Sequence, residues 1–362
     1  MTRAVLTLCA CLLATAGLIG APALAAPPQV PTAKSAIVVD AATGKVLFQK
    51  TPDEQRPMAS TTKLMTALLT LEQAKPSEVF TAPPYRALTA ESKINLRAGE
   101  RMRVSDLLEG LLLESANDAA ATLAVGISGS RPAFVAEMNL RAAELGLEGT
   151  SYANPIGLDD PENYSTARDL AKLSTRLMRK RRFARIVDMP AATLESGARQ
   201  RVVTNRNDLV ARFPFVDGIK TGHTLGAGYV LVGAGHKAGG ARVITVVMGE
   251  PGELARDDDT LTLLKYGLSL YKPQRVLRRN RAVRSADIEH RGDDVALVPA
   301  RNLTVSVARG ERLSRRVRAP EEVEGPLRKG ARVGTVAVLR DGRRVARVAL
   351  VTARPLSLPA LI

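Results

Sequence analysis

The sequence predicts a mixed α/β chain of the α+β type, in which helices flank an antiparallel sheet, followed by a small all-β domain. Three observations support this fold class. Within residues 26–272, apolar and polar residues alternate at period two near both ends, which is typical of strands. Helical periodicity fills the sequence between these two regions. Composition then changes, because residues 273–362 hold 20 Lys and Arg against 9 Asp and Glu, whereas residues 1–272 carry only +5 of the net charge of +16.

Turn residues and periodicity divide residues 26–272 into a series of elements. The sequence predicts a hairpin at 35–50, a deeply buried helix beginning in "MASTTKLMTA", two helices over 103–130 with a break near 115–118, an amphipathic helix at 131–147, a loop at 150–165, a helix at 166–180, a hairpin at 228–249 and a helix at 257–271. Residues 273–362 alternate at period two with Gly and Asp-Gly turns, which predicts an all-β domain joined near 272–275.

Residues 1–25 have the pattern of a secretory signal peptide. Arg3 supplies a positive charge, an apolar run follows from 4 to 19, and Ala23-Leu24-Ala25 forms a small-residue cleavage site. The run is shorter than the ~20 residues of a membrane span, which favours cleavage after Ala25 over an uncleaved anchor. We therefore expect an exported protein, in the periplasm or at the outer face of the cytoplasmic membrane.

Cysteine and histidine usage argues against two kinds of site. Both cysteines, Cys9 and Cys11, lie in the predicted leader, so the mature chain would have no disulfide, no thiol nucleophile and no thiolate ligand. The three histidines are scattered at positions 223, 236 and 290. We therefore expect neither a metal site nor a cofactor.

The stretch "MASTTKLMTA" places Ser60 and Lys63 one helical turn apart at the start of an apolar helix. The spacing alone is weak evidence, because Ser is a common N-cap, Lys is a common surface residue, and Ser269 and Lys272 repeat the spacing without similar surroundings. The chemistry is nevertheless specific. A serine at a helix N-terminus can act as a nucleophile, and a lysine one turn away can be its base if its pKa is lowered.

Two further triplets strengthen this interpretation. Ser-Ala-Asn at 115–117 lies at the predicted helix break, 55 residues beyond Ser60, and Lys-Thr-Gly at 220–222 begins 105 residues later. Lys220 would supply the positive charge that, together with burial, lowers the pKa of Lys63. Ser115 would pass a proton to the leaving amine, and Asn117 would orient the substrate and Lys63.

The Lys-Thr-Gly triplet also suits the binding of a peptide end. Lys220 and Thr221 would bind a carboxylate, and Gly222, which has no Cβ, would let a substrate backbone lie along the strand. The backbone N–H groups of Ser60 and His223 would form an oxyanion hole.

Together these motifs resemble those of penicillin-binding proteins and serine β-lactamases. Over nearly the whole mature chain, the sequence is similar to low-molecular-weight penicillin-binding proteins of the serine-type D-alanyl-D-alanine carboxypeptidase family. The segments "ASTTKLMTALL", "LLLESANDAA", "NPIGLDD", "STARDLAKL" and "VDGIKTGHT" resemble blocks of that family, and "LRKGARVGTVAV" resembles its C-terminal sandwich. The resemblance implies a penicillin-binding/β-lactamase-like catalytic domain at 26–272 and a basic all-β domain at 273–362.

The resemblance also implies a specific reaction. The substrate would be the D-Ala-D-Ala end of peptidoglycan stem peptides, and Ser60 would form an acyl-enzyme, release the terminal D-Ala and be freed by water. β-Lactam antibiotics such as penicillins would acylate the same serine as covalent inhibitors. Arg206 in "TNRND" and Arg256 in "ELARDD" resemble family positions near the substrate carboxylate, although both also fit a reading as plain surface charges.

Three other functions stay open. A class A β-lactamase shares the motifs and deacylates through an added glutamate, for which Asp159, Asp160 and Glu162 are candidate acids. Against it stand Ser-Ala-Asn, where such enzymes usually have Ser-Asp-Asn, and the attached β domain. A D,D-endopeptidase would cut cross-links with the same triplets. A non-catalytic wall-binding protein would tolerate the loss of a triplet, but all three are intact.

The basic C-terminal domain suggests a surface contact. Many family members end in an amphipathic helix that lies on the membrane, whereas this chain ends "RPLSLPALI". An Arg-rich face suits peripheral contact with the membrane or with wall polymer, and it equally suits a merely solvated surface. We expect no nucleic acid partner, because an exported chain with 3% aromatic residues and no Trp has little means to stack on bases.

Overall fold

The computed structural model describes residues 27–89, 91–290 and 292–357, so the predicted signal peptide lies outside the described residues. A one-turn 3-10 helix at Ala59–Thr62 leads directly into the first α-helix. The α-helices are α1 (Lys63–Gln73), α2 (Val104–Leu112), α3 (Asn117–Ser128), α4 (Arg131–Glu144), α5 (Ala167–Leu177), α6 (Arg181–Val187), α7 (Leu209–Arg212) and α8 (Glu253–Ser269). Among these elements, no helix has both the length and the apolar character needed to cross a bilayer.

The strands of the first part form one main sheet and three short ribbons. They are β1 (Ser35–Asp40), β2 (Val46–Lys50), β3 (Arg56–Pro57), β4 (Val79–Thr81), β5 (Arg101–Arg103), β6 (Tyr164–Ser165), β7 (Ala191–Leu194), β8 (Arg201–Thr204), β9 (Val216–Thr224), β10 (Gly228–Lys237) and β11 (Ala241–Glu250). Within the described chain, the main sheet is antiparallel with the order β2-β1-β11-β10-β9. Strand β9 therefore lies at an edge of the sheet and, among the strands described, pairs with a neighbouring strand, β10, on one side only.

Helix α1 is the centre of the core. Its sequence of Leu, Met and Ala has high helix propensity, and residues 63–70 are all buried. The helix ends before Pro76, as the steric restriction on the residue preceding a proline requires. Each fully buried Leu or Met contributes about 1.5–3 kcal/mol through the hydrophobic effect, so this helix is fixed in place by packing.

Most of the predicted helices and hairpins are confirmed, and their ends have local causes. The break between α2 and α3 occurs at residues 113–116, and α3 ends at Gly129, whose φ of 75° is the left-handed conformation that glycine adopts easily. Ser130 caps α4 by accepting a hydrogen bond of 3.2 Å from the Ala133 N–H. The prediction that the last helix spans 257–271 was wrong at its start. Helix α8 begins earlier, directly after Gly252, which has an extended backbone and provides no side-chain cap.

The rest of the chain is all-β, as predicted. Its strands are β12 (Tyr271–Leu277), β13 (Arg284–Ile288), β14 (Asp294–Pro299), β15 (Leu303–Ala308), β16 (Leu313–Arg318), β17 (Glu322–Val323), β18 (Arg332–Arg340) and β19 (Arg343–Thr352). In the described residues, β12 pairs with β15, and the other six form a sheet of order β16-β18-β19-β14-β13-β17. The boundary predicted between 272 and 273 falls within β12.

A buried polar contact joins the two parts. The Tyr271 hydroxyl donates a hydrogen bond to Asp40 Oδ2 at the end of β1, and Arg340 Nη2 lies 3.5 Å from the same carboxylate oxygen. Glu311 Oε1 lies 3.5 Å from Arg340 Nε on the other side. Because Tyr271, Asp40 and Arg340 are buried and the Glu311 side chain is only 9% exposed, this cluster fixes β12 and β18 against the main sheet.

Candidate active site

Ser60 and Lys63 meet at the junction between the 3-10 turn and α1. Lys63 Nζ lies 2.9 Å from Ser60 Oγ, and it also donates a hydrogen bond to the carbonyl of Ile156. Lys63 is 0% exposed. Ala59, just before the serine, has a φ of 48°, an uncommon conformation for a residue with a Cβ, and strain of this kind concentrates at functional sites.

Burial is what sets the proton affinity of Lys63. Loss of solvent lowers the pKa of this amine well below its ordinary value, and the nearby positive charge of Lys220 lowers it further. Glu91 and Asp118 oppose the shift without cancelling it. The arrangement therefore favours a neutral amine beside the serine hydroxyl, which is the protonation state that a general base needs.

The loop before α5 closes over the nucleophile turn. Asn154 Oδ1 accepts hydrogen bonds from the N–H groups of residues 156, 157 and 158, and Thr66 donates to the Pro155 carbonyl at 2.8 Å. Gly157 has a φ of 92°, and a Cβ there would lie 2.1 Å from the Ala59 carbonyl oxygen. The sequence predicted only a loop here, so the role of this backbone was missed.

Strand β9 brings the Lys-Thr-Gly triplet beside Ser60. A Cβ on Gly222 would lie 3.0 Å from the Ser60 nitrogen and 3.2 Å from the Met58 carbonyl oxygen, so only glycine fits this approach without displacement. Lys220 is 1% exposed and donates a hydrogen bond of 2.9 Å to the Thr221 carbonyl. Burial, followed by the charges of Arg206 and Arg256, lowers the pKa of Lys220 to about 7.

The Ser-Ala-Asn triplet occupies the break between α2 and α3, as predicted. Ser115 has a φ of 62° and is buried, and Asn117 begins α3. Asn117 Nδ2 donates a hydrogen bond of 2.7 Å to Glu91 Oε2, which also accepts one from the Tyr85 hydroxyl. Burial raises the pKa of Glu91, but the hydrogen bonds from Tyr85, Asn117 and the Leu88 N–H, together with the charge of Lys63, leave a net lowering.

Sequence reasoning missed Glu91. It lies in an aperiodic segment 26 residues before Asn117, and nothing in the spacing indicates that the two side chains meet. The contact gives the Asn117 amide an anionic partner. It also places a negative charge close enough to affect Lys63.

The two arginines differ in their surroundings. Arg256 is 3% exposed and forms ion pairs with Asp257 at 2.8 Å and Glu253 at 2.9 Å, so the reading of it as a plain surface charge was wrong. Arg206 is exposed and paired with Glu114. Both guanidinium charges nevertheless act on Lys220.

His223 is exposed near the end of β9. Its ring stacks on Tyr229 of β10, with ring centroids 4.0 Å apart. The Arg256 guanidinium lies 6.0 Å from the centroid of the same tyrosine ring. Tyr229 thus links His223 to Arg256, a connection that the sequence did not indicate.

The three acids that were candidates for a deacylating glutamate, Asp159, Asp160 and Glu162, are all exposed. Asp159 accepts hydrogen bonds from the Thr224 hydroxyl at 2.6 Å and from the Gly226 N–H at 3.0 Å, so its carboxylate fixes the turn after β9. Asp160 accepts from the Glu162 N–H at 2.9 Å. Across the residues that the structure describes, no group of three His, Cys, Asp or Glu side chains is arranged to hold a metal ion.

Comparison with known proteins places this geometry in a family. Residues 22–252 match the model of the D-alanyl-D-alanine carboxypeptidase family, peptidase family S11, and residues 271–356 match the model of the penicillin-binding protein 5 C-terminal domain. The D-alanyl-D-alanine carboxypeptidase DacF of Bacillus subtilis is 32% identical over 324 residues, covering 87% of this chain and 83% of DacF. The carboxypeptidase DacA of Escherichia coli K12 is 32% identical over 341 residues, covering 90% and 83%.

Solved structures agree with the sequence relatives. Penicillin-binding protein 5 from Haemophilus influenzae superposes with a TM-score of 0.65 at 29% identity, covering 91% of this chain and 99% of that one. The Streptomyces K15 DD-transpeptidase superposes with a TM-score of 0.64 at 30% identity, covering 68% and 100%. These matches, together with the Ser60, Lys63 and Lys220 geometry, show that the chain belongs to the D-alanyl-D-alanine carboxypeptidase family of S11 peptidases.

Proposed function

We propose that this protein is a serine D-Ala-D-Ala carboxypeptidase that removes the terminal D-alanine from peptidoglycan stem pentapeptides through an acyl-enzyme on Ser60. The observation that carries the proposal is the buried Lys63 amine, 2.9 Å from Ser60 Oγ and lowered in pKa by burial and by Lys220. Membership of the family supplies the substrate class.

Acylation begins with proton transfer from Ser60 to Lys63. The neutral amine accepts the hydroxyl proton while Oγ attacks the carbonyl carbon of the D-Ala-D-Ala bond. The Ile156 carbonyl holds Nζ in place as the charge develops. The new oxyanion lies between the backbone N–H groups of Ser60 and His223, a placement that the close approach of Gly222 to the Ser60 nitrogen supports.

The leaving amine of the terminal D-alanine must receive a proton before it departs. Ser115 is the proposed carrier, because it lies buried at the start of the segment that presents Asn117. Asn117, anchored by Glu91, orients the substrate amide. Water then attacks the ester on Ser60 and completes the hydrolysis, and the same serine accepts the acyl group of a β-lactam.

Recognition of the free carboxylate at the substrate end follows from the charge around β9. Lys220, Arg206 and Arg256 together form a positive region, and burial of Lys220 followed by repulsion from the two arginines lowers its pKa to about 7. A bound carboxylate relieves that repulsion and keeps Lys220 protonated. Thr221 and the edge of β9 would align the substrate backbone in an extended form.

The organisation of the chain fits an exported wall enzyme. We propose that residues 1–25 are a cleaved signal peptide, that 26–272 form the catalytic domain, and that 273–362 form a basic β domain in peripheral contact with the membrane or wall. The exposed arginines of the last part support the contact. Cleavage of cross-links by a D,D-endopeptidase is the alternative reaction on the same triplets, and the family relatives do not favour it.

The testing experiment follows muropeptides by mass spectrometry. Purified protein is incubated with monomeric pentapeptides and with cross-linked dimers, beside Ser60→Ala and a matched Ser128→Ala control on the distant end of α3. Loss of one alanine from the pentapeptides, abolished only in Ser60→Ala, is the expected result. Conversion of dimers to monomers while pentapeptides persist would identify an endopeptidase, and activity retained in Ser60→Ala would refute the assignment of the nucleophile.

A further inference from the structure

A pocket lined by four arginines lies on one face of the C-terminal sheet. Its volume is about 200 Å³, and it is bordered by Arg316 and Arg318 of β16 and by Arg344 and Arg347 of β19. The strand register explains the convergence, because Arg316 lies opposite Ala337 of β18, and Ala337 lies opposite Arg347. The small alanine between the two guanidinium groups leaves the concavity open. We call this site the outer pocket.

A second basic pocket lies on the opposite face of the same edge strand. Consecutive residues of a strand point to opposite faces, so Arg315 is directed away from the outer pocket. Together with Arg275, Arg278 and Arg281 it lines a pocket of about 140 Å³, which we call the inner pocket. Strand β16 is an edge of its sheet in the described residues.

Neither pocket contains a neutralising acid. No Asp or Glu lines the outer or the inner pocket, and none of their eight arginines forms an ion pair within the described part of the chain. All eight are exposed. Charged residues on an edge strand are also a common protection against aggregation between sheets, and this role needs no ligand. That role does not explain why arginines of β19 join those of β16 in the outer pocket, or why arginines in and after β12 join Arg315 in the inner pocket.

The surroundings restrict the class of ligand. Residues 273–362 contain no Phe, Tyr or Trp, and Val345, at 39%, is the one large hydrophobic residue exposed in the described portion of this region. Stacking on aromatic side chains and insertion of large apolar side chains into a bilayer therefore have no residues to support them. What remains is recognition of negative charge by guanidinium groups.

The geometry favours a phosphate on a flexible chain. A tetrahedral phosphate directs oxygens to several sides and can accept from guanidinium groups on two strands, whereas a planar carboxylate best fits a single fork. A flat membrane that lies against one face of the sheet at β16 leaves the arginines of the other face unused, but a flexible polymer can pass around the edge and reach both. We propose that the β16 edge binds a phosphodiester polymer, with one phosphate in the outer pocket and a neighbouring phosphate in the inner pocket.

The test measures binding of a fluorescent synthetic poly(glycerol phosphate) to the full chain by anisotropy over a range of NaCl concentrations. Three double variants are compared: R316A/R347A in the outer pocket, R281A/R315A in the inner pocket, and R301A/R309A, two exposed arginines of the same region that line neither pocket. Each pocket variant should weaken binding roughly tenfold and reduce the salt slope by about 2, whereas the control should change both far less.

Several results would overturn the proposal. Equal losses in all three variants would indicate diffuse charge attraction, and a loss in only one pocket variant would exclude a polymer that passes around the edge. Equal binding of poly(glutamate) would exclude phosphate recognition. Binding to phosphatidylglycerol vesicles without binding to the polymer would assign the surface to the membrane. Ser60→Ala should bind the polymer like the unchanged protein, which separates this test from that of the proposed reaction.

Discussion

The two parts of the molecule use positive charge in opposite ways. In the first part, Lys63 and Lys220 are removed from water, and burial is the main cause of their lowered pKa values. In the C-terminal part, arginines stand exposed on both faces of β16, where a guanidinium keeps its charge at every physiological pH. The difference matches the chemistry at Lys63, because a proton acceptor must be able to lose its charge, whereas a surface that attracts anions must keep it.

The largest effect is expected from replacing Lys63, the buried base, because the site then loses the amine placed to accept the proton of Ser60. Lys63→Ala is expected to lower the rate of acylation by a fluorescent penicillin by about 10²–10⁴-fold, the usual contribution of a general base. Lys45→Ala, which removes an exposed lysine, should leave the rate unchanged. An undiminished rate in Lys63→Ala, measured by adduct formation on gels, would show that another group accepts the proton.

The contact between the two parts should show the largest effect on stability. Arg340→Met leaves Asp40 and Glu311 buried without their cation, so the free energy of unfolding should fall by about 3–5 kcal/mol. The exposed Arg343 provides a matched control, since Arg343→Ala should stay within about 0.5 kcal/mol. Urea unfolding measures both, and similar small values for the two variants would mean that the buried cluster does not hold the parts together.

Glu250 is an acidic counterpart of the buried lysines, because burial also shifts its pKa toward the neutral form. Burial raises the pKa of Glu250, at the end of β11, to about 7, with Asp259 adding to the rise and Thr32 opposing it. The folded state therefore holds a proton that the unfolded state, with an ordinary pKa of 4.5, has already released. Stability should fall as pH rises through this interval and level off above about pH 7.

Glu250→Gln tests this linkage directly. The amide cannot ionise, so its unfolding free energy should lose most of the decline that the unchanged protein shows between pH 5 and pH 8. Glu54→Gln, an exposed glutamate of the same part, is the matched control and should keep the decline. Parallel curves for all three proteins in urea titrations would contradict the assignment of the proton to Glu250.

The smallest effect is expected at the exposed arginines. R316A/R347A should change the unfolding free energy by no more than about 0.5 kcal/mol and leave the turnover of soluble pentapeptides unaltered, because neither side chain is buried or near Ser60. A marked loss of turnover on a soluble substrate would show that the C-terminal sheet helps to build the active site.

The periodicity of apolar residues and the turn residues were sufficient to predict the helices and strands that depend on them. The apolar face of α1, the break at Ser115 and the alternation in β10 and β11 all follow from periodicity and turn residues, and the structure has them. The start of α8 was missed because an extended glycine, rather than a recognisable capping side chain, begins it. The roles predicted for the site residues remain predictions, although Lys63, Gly222 and Lys220 do lie around Ser60.

What could not be predicted depends on contacts between distant segments. The Ile156 carbonyl contacts Lys63 from 93 residues away, and a backbone carbonyl has no signature in residue identity. Glu91 meets Asn117 only after the fold has formed. The burial of Arg256 depends likewise on the packing of α8 against the sheet. A single sequence contains no direct record of such distances.

Tyr229 gives the site an optical reporter. The chain has six tyrosines and no tryptophan, so its ultraviolet emission comes from tyrosine alone, without the brighter indole signal that usually masks it. Tyr229 stacks on His223 beside the strand along which a substrate would lie, and a ligand that disturbs this stack should change the emission. Occupancy of the active site can therefore be followed in real time on unlabelled protein, with Tyr229→Phe assigning the signal.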